Sequence, residues 1–376
     1  MIICLAPIPP PVTGASAASQ LAVDYMHKIA EVRTYSLQRP EVAFAGNATW
    51  DQIARVLQIV ARLLAIRVKR ARGNEVSAYL VIAPSRLGNL RDLALLLALG
   101  RKLRSRTTIH LHGSNFKSCM QSAPWLIRCL NRKLLRDIHA AIVLGPSVQD
   151  NFDGYVPRER VRVVANGYDP SLEASEADIE RKYGVQPVEI LFLSNLMPGK
   201  GFEKLIDAYL SLPRAIRSSA RLHLAGLPAT AAIATYVNEV CASHSDVIFH
   251  GVVNGDRKRE LLHRCQVFCL PSEIRFEGQP ISILEAYASG CTVLTSRNGG
   301  IVDIFEDGAN GFYVSAPQSL NVSVDLLAEK LRTLVVDIGR HRTIGLRNHA
   351  IARQHFRADA YCERVAQIVR GWAEPE

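Results

Sequence analysis

Residues 267–295 read VFCLPSEIRFEGQPISILEAYASGCTVLT. The run Val267–Leu270 is apolar at every position and stops at Pro271-Ser272, the pattern of a strand buried on both faces. Ile281–Ser289 follows as a helical pattern, and Thr292–Thr295 is a second short strand candidate. Strand, loop, helix and strand in that order make one βαβ unit of a parallel sheet.

The same alternation runs outward on both sides. Glu189–Leu193, Arg221–Ala225, Val247–Gly251 and Gly311–Val314 are further strand candidates in this half. Upstream, Ile2–Ala6, Ala78–Ile82, Thr108–Leu111, Ala140–Leu144 and Val161–Val164 form another series, separated by helical patterns such as Ile53–Val68 and Leu87–Leu103. Polar and acidic residues interrupt the rhythm at Asp169–Arg181. The expectation is an α/β protein of two Rossmann-like, doubly wound domains, residues 1–168 and 169–357. A C-terminal segment, 358–376, carries the helix Ala358–Trp372 and packs back on the first domain. Ligands of such sheets lie outside the carboxyl ends of the strands, which two sheets would bring to face each other across a cleft.

Composition narrows the function. The 376 residues are 48% apolar and 21% charged, which argues against a disordered chain and against a long coiled coil. The 45 Lys+Arg outnumber the 35 Asp+Glu, giving a formal charge of +10. Residues 1–169 hold 23 of the basic and 11 of the acidic side chains, a net of +12, so the remainder carries −2. No stretch of about 18 apolar residues is present, and Met1–Ala6 lacks the basic start of a secretory signal. The eight cysteines show no C-x-x-C spacing and most sit in apolar runs, so they read as reduced core thiols of a cytoplasmic protein.

Four constellations can carry chemistry. In the opening stretch, Glu277 lies in the loop before a helix and Glu285 on about its second turn, with Gly278, Gln279, Ile281 and Ser282 between them. A helix start attracts a diphosphate through its free N–H groups and dipole, and carboxylates beside it can accept hydrogen bonds from sugar hydroxyls. Upstream, Asn195 and the Gly-flanked Lys200 join a strand to the helix Phe202–Leu212, where the lysine suits a diphosphate. His110 and His112 share one face at the end of a first-half strand. Gly14, after the first strand, allows close backbone approach to a ligand. There is no G-x-G-x-x-G, no Walker A loop, no G-x-S-x-G elbow and no Asp-x-Asp.

Together these residues resemble the retaining glycosyltransferases of the GT-B fold, family four. The Glu-x7-Glu motif of that family matches Glu277 and Glu285, with Leu284-Glu285-Ala286, Gly290, Lys200-Gly201, Gly299-Gly300 and Asp307-Gly308 in the matching places. The resemblance covers nearly all of the second half and is thinner in the first, where it rests on Gly14 and His112-Gly113. It implies that Lys200 binds the donor diphosphate, Glu285 the donor ribose and Glu277 the hydroxyls of the transferred sugar. His112 would lie near the reacting sugar from the opposite domain, and Gly14 near donor or acceptor. Three departures stand out: Asn195 where the family often has Arg, Gly278-Gln279-Pro280 for Gly-Phe-Gly, and Val302-Asp303 for Pro-Glu.

The resemblance implies a nucleotide-diphosphate sugar as co-substrate, no metal or other cofactor, and a saccharide acceptor carried on a lipid. It also gives the +12 first domain a partner: an anionic membrane at its inner, cytoplasmic face. The cations for that are Arg55, Arg62, Arg67, Lys69, Arg70 and Arg72, then Arg101, Lys102, Arg104 and Arg106, and a third set Arg128, Arg132, Lys133 and Arg136. Rival readings are a nucleotide-sugar epimerase or hydrolase of the same fold, a sugar-binding module without catalysis, and a nucleic-acid-binding protein. The last is disfavoured because no basic–aromatic interleaving or recognition motif accompanies the charge.

Overall fold

The computed structural model describes residues 1–38, 50–69, 76–83, 85–316 and 319–371. The chain divides into two compact units, Met1–Asn166 with Asp359–Glu376, and Gly167–Ala358. Each is built on its own parallel six-stranded sheet.

The first sheet contains β1 (Ile2–Ala6), β2 (Val32–Ser36), β3 (Ser77–Val81), β4 (Thr107–Leu111), β5 (Ala140–Val143) and β6 (Val161–Val163), in the order 2-1-3-4-5-6. Strands β1, β4 and β5 are buried at every position; β1 and β5 are unbroken apolar runs, whereas β4 buries Thr107, Thr108 and His110 beside Ile109 and Leu111. Apolar content does not reveal β2. Arg33 and Thr34 in its centre are exposed, because β2 is an edge strand whose place is set by pairing with β1, from Ile2 opposite Val32 to Ala6 opposite Ser36.

The helix Arg86–Arg104 breaks at Gly100, whose φ of 67° and ψ of 167° are not helical, so the single helix expected over Leu87–Leu103 is two pieces. Asn89 on it and Asn131 on the helix Trp125–Leu135 exchange two amide hydrogen bonds of 3.0 and 2.9 Å in the buried seam between the helices. The C-terminal helix Ala358–Arg370 belongs to this unit beyond its first residue; Tyr361 donates to the Ala18 carbonyl.

The second sheet contains β7 (Val188–Leu193), β8 (Ala220–Ala225), β9 (Val247–Phe249), β10 (Val267–Leu270), β11 (Thr292–Thr295) and β12 (Gly311–Tyr313), in the order 12-11-10-7-8-9. Succession runs outward in opposite directions from the neighbouring pair β7 and β10. The loops leaving these two strands therefore diverge at a topological switch point, where open α/β sheets bind ligands. Both constellations of the second half, the Lys200 loop and the Glu277 loop, leave the sheet there. Phe192 on β7 and Phe202 at the start of the next helix are fully buried and meet edge to face, pinning the Lys200 loop at both ends.

Two surface expectations need correction. All eight thiols are free, but only Cys4, Cys265, Cys269, Cys291 and Cys362 are core residues; Cys119 and Cys241 are half-buried and Cys129 is exposed. Arg104 is not a surface cation. It is 8% exposed, pairs with Asp137 at 3.1 Å and donates to the Leu96 carbonyl, while Arg101 and Lys102 of the same segment stay exposed.

Candidate functional site

Two glycines bring the second unit's loops together. Gly201 caps the helix Phe202–Leu210 from the left-handed region, at φ 77°. A Cβ there would meet the Pro271 carbonyl oxygen at 2.1 Å, so the end of the Lys200 loop lies directly on the exit of β10. Gly299, at φ 47°, does the same on the other side; its Cβ would meet the Glu277 carbonyl oxygen at 2.0 Å. Gly300 N–H donates to that oxygen at 3.1 Å.

Lys200 and Glu277 meet between these clamps. The ammonium donates to both carboxylate oxygens, at 2.7 and 2.8 Å, and Ser272 Oγ donates to Oε2 at 2.7 Å. The two side chains are 14% and 11% exposed, so they are neither sealed in nor solvated. Asn298 Nδ2 donates to the Ser272 carbonyl at 2.6 Å, and Ser296 also donates to it, fixing the start of the loop.

The helix that opens the site runs Ile281–Ala288, with Pro280 as its N-cap. Proline has no side-chain acceptor to turn back on the first turn, no capping bond is present, and the first turn holds no acidic residue. Ile281 and Ser282 are half-buried at this end, Gly278 is half-buried in the loop, and Gln279 is buried. Asn195, after β7, is half-buried.

Glu285, the fifth residue of that helix, is 6% exposed. Burial pushes its carboxyl above the usual range, Lys258 pulls it down by charge and hydrogen bond, and Asp169 pushes it up. Lys258 donates to Oε1. The sequence reading paired Glu285 with Glu277 and did not find Lys258, which lies among Arg257, Lys258 and Arg259, with no pattern to say which cation turns inward.

In the first unit His112 follows β4. Its ring stands 4.0 Å from that of His110, centroid to centroid, on the shared face. Tyr79 OH and His110 Nδ1 are 2.7 Å apart. Burial drives His112 down to about 4, with Asn166 opposing, so the ring is a neutral imidazole at physiological pH. Gly14 begins the helix Gly14–Ile29, capped by a Thr13–Ser16 capping box. It is exposed, and a Cβ there would meet nothing within 4 Å. No contact within the described residues requires glycine at this position.

Residues 176–343 match the family model of glycosyl transferases group 1. An uncharacterized glycosyltransferase of Methanocaldococcus jannaschii is 33% identical over 183 residues, 45% of each chain. A GDP-mannose-dependent alpha-(1-6)-phosphatidylinositol monomannoside mannosyltransferase of Mycobacterium tuberculosis is 26% identical, over 53% of this chain and 51% of that one. The chain thus spans about half the length of these curated relatives. Among solved structures, Anabaena HepE in complex with UDP-glucose superposes with a TM-score of 0.68, at 18% identity and over 98% of this chain and 99% of the other. A glycosyltransferase of Rickettsia africae gives 0.71 at 15% identity, over 98% and 97%. These likenesses show the fold.

Proposed function

We propose that this chain, whose residues 176–343 match the family model of glycosyl transferases group 1, moves a sugar from a nucleotide-diphosphate donor to a saccharide acceptor carried on a lipid. The observation that carries this reading is the meeting of Lys200 and Glu277 at the switch point, beside an uncapped helix start.

The chemistry follows from charge. The bond from the anomeric carbon to the diphosphate oxygen breaks, leaving an oxocarbenium-like sugar and added negative charge on the diphosphate. Lys200 and the Ile281 helix start stabilise that charge without a metal. Drawn to the diphosphate, Lys200 releases the Glu277 carboxylate to accept hydrogen bonds from the sugar hydroxyls, while Glu285 accepts from the ribose. The acceptor oxygen bonds the anomeric carbon from the face the diphosphate leaves, passing its proton to the departing phosphate oxygen, so configuration is retained. The same resemblance assigns the neutral His112 to the reacting sugar and Gly14 to the donor or acceptor loop.

The test separates transfer from the epimerase or hydrolase reading. Donors that raise the melting temperature are incubated in EDTA with and without a lipid-linked saccharide. Product is expected only with the acceptor; conversion of the donor alone, at a rate the acceptor does not change, contradicts transfer.

The acceptor side of the proposal places the first unit on an anionic membrane. Among the described residues no helix is long and apolar enough to cross a bilayer, so the contact proposed is peripheral. Arg128, Arg132, Lys133 and Arg136 are exposed along the helix Trp125–Leu135, whose first two residues, Trp125 and Leu126, are 68% and 60% exposed. Such a combination of basic and large apolar side chains suits a headgroup layer. Arg55 and Arg62 are exposed on the helix Trp50–Lys69, and Arg101, Lys102 and Arg106 near the end of Arg86–Arg104. The side chains of Arg67 and Lys69, and Arg70 and Arg72 altogether, lie outside the described residues. Co-sedimentation with vesicles is expected to need anionic lipid, and to fall with salt and when Arg128, Arg132 and Lys133 are changed to Glu. Binding indifferent to all three contradicts the docking.

A further inference from the structure

We propose that Lys258 is a positioning residue for donor recognition: by holding Glu285 as an oriented carboxylate, it lets that buried side chain accept hydrogen bonds from the ribose hydroxyls of a nucleoside diphosphate. The inference rests on the reading of the second unit as a nucleotide-sugar site and adds a residue to it.

Three observations carry it. Glu285 is 6% exposed and sits on the helix that starts at the switch point, within the Glu-x7-Glu spacing. A carboxylate at that depth is unstable unless paired. Its hydrogen-bonded partner Lys258 comes from another element, the helix Gly255–Arg264 between β9 and β10. Finally, Lys258 is distinguished from its neighbours. Arg257 and Arg259 are exposed, and Arg259 pairs with Asp256 on its own helix at 2.8 Å, while the Lys258 side chain is 22% exposed and reaches across to Glu285.

The charged groups acting on Glu285 are Lys258 and Asp169, which oppose each other. Without Lys258, burial and Asp169 both favour the protonated acid. A protonated carboxyl gives up one acceptor oxygen to its own proton, and the remaining geometry no longer suits two vicinal hydroxyls. Glu285 then loses its grip on ribose, and loses more of it as the pH falls.

The experiment is calorimetric titration of UDP, GDP and their 2′,3′-dideoxy forms into the wild-type chain and into Lys258→Met and Lys258→Arg, at pH 8 and pH 6. The wild type is expected to bind one of the two nucleotides at least tenfold more tightly than its dideoxy form. Lys258→Met is expected to lose most of that preference while keeping its affinity for the dideoxy form, with the larger loss at pH 6, and Lys258→Arg to restore it. If the Met variant misfolds, Lys258→Gln gives the same readout, since it keeps a donor and loses the charge. A Met or Gln variant that discriminates ribose as the wild type does overturns the inference and leaves the donor reading standing. A wild type that binds neither nucleotide overturns that reading, and the inference with it.

Discussion

Lys200→Ala is expected to lower kcat/KM for sugar transfer at least tenfold while leaving the protein folded. The reason lies in where the lysine stands. The loops from β7 and β10 diverge at the switch point, and Lys200 bridges them by donating to both oxygens of Glu277. In the proposed reaction it exchanges that carboxylate for the diphosphate, whose negative charge grows as the glycosidic bond breaks. Removing one preorganised hydrogen-bond donor from a transition state typically costs about 10²–10³ in rate. The exposure of the pair, 14% and 11%, and the helix start that remains both point to the lower end. The fold survives because the loop is held by Phe192, Phe202 and the Gly201 contact with Pro271, none of which involves the ammonium. Asn195 adds weight to the expectation. With no second cation at that position, Lys200 carries more of the diphosphate charge than a lysine with an arginine beside it. A variant with wild-type turnover and an unchanged melting curve contradicts the assigned site.

Glu285→Ala is expected to raise the donor KM at least tenfold, with a smaller effect on kcat. This carboxylate is assigned to the ribose, which is bound alike before and during the reaction, so its loss appears as uniform binding. Two charge-assisted hydrogen bonds at a buried position are worth about 1.5–3 kcal/mol each against an unpaired alternative, enough for the expected change. The variant also strands Lys258, but at 22% exposure that ammonium can turn to water. Steady-state kinetics over a range of donor concentrations, paired with thermal melts, separates the two effects. A fall in kcat alone, at unchanged KM, contradicts the ribose assignment.

Most of the architecture was legible because parallel strands covered on both faces are predominantly apolar. β10 and β11, with the helix between them, can be read from one stretch of sequence. What the pattern missed follows from the same rule. β2 is an edge strand with exposed Arg33 and Thr34, so its identity lies in hydrogen bonds to β1 rather than in its own side chains. Gly100 reads as one more small residue in a helical run, and only its backbone angles show the break. Arg104, which the charge pattern alone places on the surface, is buried against Asp137, a partner 33 positions away that spacing does not mark.

The site divides in the same way. Lys200 and Glu277 were legible because each sits in a loop that leaves a recognisable strand. That they touch depends on β7 and β10 being neighbours in a 12-11-10-7-8-9 sheet, which spacing along the chain cannot express. Lys258 was illegible because its partner lies 27 positions away on another helix and its two neighbours are also basic. Gly14 runs the other way. The sequence marks it, but the structure supplies no neighbour among the described residues that would demand glycine.

The central claim is transfer from a nucleotide sugar at the β7–β10 switch point by same-face attack. NMR of the saccharide formed from an α-linked donor, read at the anomeric proton and carbon during turnover, tests it most directly. An α-linked product, lost together with Lys200, is the predicted result; a β-linked product would contradict the account.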